Sequence, residues 1–194
     1  MRPLVVHNAI VESLFYASVL LWLIVEVTIR LRSRARGQTA PEWSFFFVWV
    51  TIGVSWSGAY VVMRLQVASL PGSVWWPVAM GLTLMWVGIA FRAWAILTLG
   101  AFFKLMVVVQ EDHRVIDRGP YRWLRHPSYL GAGVALVGIG LVGGSWVGVL
   151  IMLAGALTAF VVRIHVEEQV LLRALGEDYA AYARRTARLI PGLY

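Results

Sequence analysis

Gly119-Pro120-Tyr121-Arg122-Trp123-Leu124-Arg125-His126-Pro127-Ser128-Tyr129-Leu130-Gly131 gathers polar and ring-constrained residues into one stretch of a chain that is otherwise mostly hydrocarbon. Pro120 and Pro127 fix φ and bias Gly119 and His126 towards extended backbone, so the stretch reads as a shaped connector and not as the interior of a helix. Pro127 is suited to open the next helix, where its missing N–H costs nothing.

The rest of the chain sets the environment of that connector. Of its 194 residues 60% are hydrophobic and only 14% charged, against about 25% charged in a typical globular domain. Mean hydropathy is +0.74. This is the composition of an all-α integral membrane protein, and the apolar runs predict about five transmembrane helices. Cysteine is absent, which excludes disulfides, a thiolate metal site and a cysteine nucleophile. The histidines, His7, His113, His126 and His165, are too far apart for helical ligand spacing, so no metal is expected. The net charge of +7 is read as loops facing an anionic membrane leaflet, not as a nucleic-acid surface.

Working outward, the first apolar run extends from about Ala9 to Ile29, near the length that crosses ~30 Å of hydrocarbon. A basic stretch follows it, so it reads as a retained span and not a signal peptide. Glu26 stands four residues before Arg30, the spacing of a helical ion pair. Arg30, Arg32, Arg34 and Arg36 precede Pro41 and a second run, Trp43 to about Met63. In that run Gly53, Ser57 and Gly58 form a small-residue face suited to close packing. Residues 1–70 are thus an N-terminal pair of spans, and 74–194 the remainder. A third run, Val74 to about Leu99, carries Arg92 some two turns from its end; a charge at that depth either meets a substrate or snorkels to the headgroups.

Lys104, Arg114, Arg118, Arg122 and Arg125 mark residues 100–127 as a second basic connector. By the positive-inside rule both basic stretches are cytoplasmic and the N-terminus lies outside. Tyr129–Val142 and Trp146–Val162 then form a short helical hairpin about Gly143-Gly144-Ser145, its helices drawn together by glycines at 131, 133, 138, 140, 148 and 155. From Arg163 the pattern becomes amphipathic, with Leu171, Leu175, Tyr179 and Tyr182 at helical spacing. This predicts a cytoplasmic helix, kinked near Gly176, resting on the membrane or on the connector.

The two polar clusters, 110–129 and 163–168, therefore share one face. A cationic cofactor with ring and ribose parts needs aromatic surface, irregular backbone and a carboxylate for its ammonium or sulfonium group, and Tyr121, His126, Tyr129, Glu167 and Glu168 supply these. The same residues also suit quieter parts: tyrosines in an interfacial belt, a histidine bonding at a helix start, carboxylates on a solvated turn.

Several ordered motifs accompany them: Arg92-x-Trp94, Leu99-Gly100, Gln110-x-x-His113-x-Val115, Gly119-Pro120-Tyr121, Arg125-His126-Pro127-Ser128-Tyr129-x-Gly131, Arg163-x-x-x-Glu167-Glu168 and Leu175-Gly176-x-x-Tyr179-x-x-Tyr182. Together, over roughly residues 88–192, they resemble the isoprenylcysteine carboxyl methyltransferase family; the N-terminal spans match only as hydrophobic helices. The resemblance implies a membrane-embedded, S-adenosylmethionine-dependent methyltransferase acting on a lipid-tailed acceptor. It implies a cofactor pocket built from 100–130 and 163–192, with Gln110, His113, Arg114, Val115, Ile116, Tyr121, His126, Pro127, Ser128, Tyr129 and Glu167 as cofactor residues. Arg163 would face the acceptor's carboxylate, Arg92 is a second acceptor-side candidate, and Glu168 or His165 is the nearest proton acceptor. Alternatives are a phenol, enol or amine lipid as acceptor, an NADPH-dependent reductase of the sterol type, and a non-catalytic membrane scaffold.

Overall fold

The computed structural model describes residues 8–32, 41–73, 75–100 and 115–192, with the side chains of 29–32 left aside. Five helices account for most of them: α1 Ala9–Arg32, α2 Glu42–Arg64, α3 Trp75–Leu99, α4 Pro127–Val142 and α5 Trp146–Arg185, with a 3-10 turn at Gly119–Arg122 between α3 and α4. Helices α1, α2, α3 and α5 are each long and apolar enough to cross a membrane, whereas α4 has 16 residues. The protein is a multi-pass integral membrane protein.

Local chemistry explains the boundaries. Pro41 occupies the N-cap of α2 and Pro127 the first position of α4, where the ring's fixed φ favours a helix and no intrahelical donor is lost. Ser145 caps α5 by accepting from the Gly148 backbone at 3.2 Å, satisfying one of the orphan N–H groups of the first turn. The expected bias of Gly119 towards extended backbone is not met: it sits at φ 58, a region open to glycine because it lacks a Cβ.

Packing is set by close backbone approach. A Cβ added to Gly81 would lie 2.6 Å from the Gly138 carbonyl oxygen, and one added to Gly88 2.5 Å from that of Gly131. The relation is reciprocal, since Cβ atoms on Gly131 and Gly138 would meet the Gly88 and Gly81 oxygens at 2.7 and 2.5 Å. Helices α3 and α4 are thus an antiparallel pair joined by two glycine crossings. This corrects the expectation that Gly131 and Gly138 draw the α4–α5 hairpin together. Gly140 does so, against Val149, while Gly155 of α5 receives Ser55 of α2. Ser55, and not the Gly53 face, makes the close α2 contact; nothing lies within 4 Å of a Cβ placed on Gly53.

The hairpin is not short on its second arm. Helix α5 runs 40 residues, about 60 Å if straight, so it carries its apolar first half directly into the polar sequence beyond Val162. The expected kink is present at Gly176, with φ 54 and ψ −127. Beyond it the C-terminal segment folds back onto the connector. Tyr182 donates to the Tyr121 carbonyl at 2.8 Å, Arg125 N–H to Ala187 O at 2.8 Å and His126 N–H to Arg188 O at 3.1 Å. Of the two resting places expected for this helix, the structure takes the connector.

At the opposite end, the α2–α3 loop meets the α4–α5 turn: Leu70 N–H donates to Gly144 O at 2.9 Å and Ser145 Oγ to Val67 O at 2.7 Å. One end of the molecule is therefore turns, and the other holds the polar clusters.

Candidate active site

Helix α4 begins at the polar end, and its first turn organises everything around it. His126, Ser128 and Tyr129 leave the connector in three directions within four residues, and each meets charge. Tyr129 donates its hydroxyl to Glu167 Oε1 at 2.8 Å. His126, 4% exposed, lies between two carboxylates, Nδ1 at 3.7 Å from Glu167 and Nε2 at 3.4 Å from Glu168. Its ring stacks on Tyr129 at 5.9 Å, and Tyr129 in turn stacks on Phe160 at 5.2 Å. Three rings thereby lead from the carboxylates into the apolar core.

Arg163 and Glu167 are one turn apart on α5, with Nη2 at 3.3 Å from Glu167 Oε1. The same guanidinium points Nε at the Tyr129 hydroxyl at 3.4 Å and hydrogen-bonds Ser44 of α2 through Nη1. Glu168 has different company. Arg125 Nε stands 2.8 Å from its Oε1 and Arg188 Nε donates to its Oε2 at 2.9 Å. A carboxylate claimed on both oxygens by guanidinium groups is a poor proton acceptor. His165, the other proposed acceptor of protons, is exposed beside Gln169.

Arg92 is held by two protein partners. Its Nε and Nη2 grip Glu26 of α1 at 2.6 and 2.8 Å, and Nη1 donates to Ser128 O and Oγ at 3.0 and 2.6 Å. Glu26 commits both oxygens to this fork and also accepts from Trp22 at 2.9 Å; the side chain of Arg30, its expected partner, lies outside the described residues. A bidentate pair of this kind fixes orientation as well as distance. Ser128, a residue expected at the cofactor, is thus bound to Arg92.

Tyr121 is 2% exposed and packs on Ala95 and Leu99 with Ile116 beside it, while Val115 packs with Leu171, Tyr179 and Tyr182. Burial first, then Tyr182 and Glu167, push the Tyr121 hydroxyl far above the ordinary phenol range, so it stays neutral. Gln110, His113 and Arg114 lie outside the described residues. The structure therefore brings together His126, Pro127, Tyr129, Arg163, Glu167 and Glu168, with Val115, Ile116 and Tyr121 in the layer behind. Ser44 and Arg188 join them without any signal in the sequence, since each reaches the cluster only through the folded chain.

The donor set suits an organic cation with aromatic parts. Glu167 offers a carboxylate beside the ring stack, and the buried Tyr179 hydroxyl has no hydrogen-bond partner among the described residues. Among the described residues no group of three or more acidic or histidine side chains is placed to hold a metal.

Comparison with known proteins bears on the same region. Residues 80–173 match the isoprenylcysteine carboxyl methyltransferase (ICMT) family. The chain is 30% identical over 119 residues to protein-S-isoprenylcysteine O-methyltransferase B of Arabidopsis thaliana, covering 60% of each chain. It is also 30% identical over 140 residues to a protein-S-isoprenylcysteine O-methyltransferase of Tribolium castaneum, covering 69% of this chain and 49% of that one. The chain thus spans about half to three-fifths of the length of these relatives. The solved structure of a eukaryotic intramembrane Ras methyltransferase ICMT superposes with a TM-score of 0.59 at 25% identity, over 74% of this chain and 52% of that one.

Proposed function

We propose that the chain, whose residues 80–173 match the isoprenylcysteine carboxyl methyltransferase family, is a member of it and transfers a methyl group from S-adenosylmethionine to a lipid-tailed carboxylate such as that of an isoprenylcysteine. The observation that carries the reading is the pairing of Arg163 with Glu167 at the junction of the polar end and the apolar helices, beside the His126–Tyr129–Phe160 ring stack. A cation for the acceptor and an anion for the cofactor stand one helical turn apart.

When bound, S-adenosylmethionine supplies an electrophilic methyl group on a sulfonium centre. The protein's part is placement. Glu167 holds the cofactor's ammonium group, the rings of His126 and Tyr129 face its cationic and aromatic parts, and Pro127 shapes the turn that presents them. Ser128 acts through the Arg92 fork, which fixes the start of α4. Val115, Ile116 and Tyr121 back the pocket, while Gln110, His113 and Arg114 are cofactor candidates through the family resemblance alone. Arg163 orients the acceptor carboxylate, whose lipid tail lies along the apolar helices. In-line displacement within a buried site gains most from fixed geometry and excluded water.

The pairing of Glu168 favours a carboxylate over a phenol or amine. A carboxylate is already ionised at neutral pH and needs no base, and Glu168 is occupied by Arg125 and Arg188. We place the polar end in the cytoplasm, where the basic connectors belong.

The test is incubation of purified protein with methyl-labelled S-adenosylmethionine and four acceptors: a farnesylated cysteine carboxylate, its carboxamide, a long-chain phenol and a long-chain amine. Base-labile label on the carboxylate alone is the expected outcome. Label confined to the phenol or amine would overturn the acceptor class, and saturable NADPH binding without S-adenosylmethionine binding would point to a reductase instead.

A further inference from the structure

We infer that Ser44, at the start of α2, is a positioning residue that sets the Arg163 guanidinium for an anionic acceptor, so that acceptor selectivity depends on a helix outside the family-matched segment. The inference rests on the reading of Arg163 given above. Ser44 is fully buried, at 0% exposure, in the first turn after Pro41. Its hydroxyl donates to the Pro41 carbonyl at 2.7 Å. With its proton so directed, the Oγ lone pairs are left to accept, and Arg163 Nη1 donates to them.

That contact decides where the guanidinium stands. The other two protein contacts of Arg163 are long, 3.4 Å to the Tyr129 hydroxyl and 3.3 Å to Glu167, at the weak edge of hydrogen-bonding range. The contact to Ser44 is the closest of the three. An arginine has five N–H donors. Among the described residues Ser44 accepts from Nη1 and Tyr129 from Nε, and Glu167 lies in ion-pair range of Nη2. One donor remains on each terminal nitrogen, the pair that a carboxylate takes in a two-point contact. Ser44 thus shares the guanidinium with Glu167, its ion-pair partner one turn along α5.

The residue comes from outside the shared core. The family match begins at residue 80, yet α2 delivers this hydroxyl to the first turn of the candidate site. The family-matched half alone is therefore missing one of the groups that hold Arg163.

The experiment compares wild type with Ser44→Ala, Ser44→Thr and Ser44→Val, reading acceptor KM, kcat and S-adenosylmethionine Kd on a farnesylated cysteine, and the binding of its carboxamide. Ser44→Ala and Ser44→Val should raise acceptor KM by about tenfold, the size of one lost hydrogen bond to a charged group, and shrink the preference for carboxylate over carboxamide by a similar factor. Cofactor Kd should stay within a few-fold. Ser44→Thr keeps the hydroxyl at the volume of valine and should restore most of the acceptor affinity. Equal behaviour of threonine and valine would overturn the inference by reducing Ser44 to packing, and so would an unchanged carboxylate preference in Ser44→Ala. If wild type methylates no carboxylate at all, the functional reading fails first and this inference falls with it.

Discussion

Glu167 and Glu168 are adjacent in sequence and share His126 between them, but differ in their other partners. Glu167 accepts one neutral hydrogen bond from Tyr129 and one long contact from Arg163, so its charge is only partly answered by the protein. Glu168 sits against two guanidinium groups. Glu167→Gln should therefore weaken S-adenosylmethionine binding by roughly 10- to 150-fold, a charge-assisted contact of about 1.5–3 kcal/mol, with little change in melting temperature. Glu168→Gln should do the reverse, leaving buried Arg125 without its counter-ion and lowering stability by about 3–5 kcal/mol. Titration of cofactor binding and thermal unfolding of both variants separate the two; matching effects would show that the pair acts as one group. In the sequence the two carboxylates fitted a solvated turn as well as a cofactor site, and it was the family resemblance that singled them out. Their division of labour was not legible there, because Arg188 lies 20 residues further on and reaches Glu168 only after the chain turns at Gly176.

Helices α3 and α4 illustrate the same limit for secondary structure. Their extents were readable from hydropathy, and Pro127 announced the start of α4, but glycine spacing along one helix reports a stripe and not the partner that the stripe meets. Gly131 and Gly138 fitted a hairpin with α5 as well as a pair with α3. The structure selects α3 because Gly81 and Gly88 repeat the same seven-residue interval on an antiparallel neighbour, and that alignment also carries Arg92 to Ser128. Gly88→Ala would press a methyl group to 2.5 Å from the Gly131 oxygen, where backbone must shift. A loss of about 1–3 kcal/mol is expected. Gly53→Ala, with open space at its Cβ, should be neutral within about 0.5 kcal/mol. Apparent melting temperatures in detergent would check both, and equal effects would mean that α3 and α4 are held by their larger side chains.

Charge and turn chemistry divide the molecule into two ends, and the proposed function dictates which end faces the cytoplasm. Glu26, Ser44, Arg92, Ser128, Arg163 and Glu167 come from all five helices and form two sets, Glu26–Arg92–Ser128 and Ser44–Arg163–Glu167, at a single end, beside the connector that carries Arg118, Arg122 and Arg125. The other end is the α2–α3 loop bonded to the α4–α5 turn, and residues 65–73 and 143–145 contain no lysine or arginine. An S-adenosylmethionine pocket needs access to the compartment where that cofactor is found, and the positive-inside rule sends the basic end to the cytoplasm by an independent argument. Because the chain has no cysteine, single cysteines can report this directly. Arg118, Arg173 and Ser73 are exposed, so their replacement should not disturb packing. Ser73→Cys should react with an impermeant maleimide in intact cells, whereas Arg118→Cys and Arg173→Cys should react only after the membrane is opened. Labelling of position 118 from outside would invert the molecule, and with it the compartment from which the pocket draws its methyl donor.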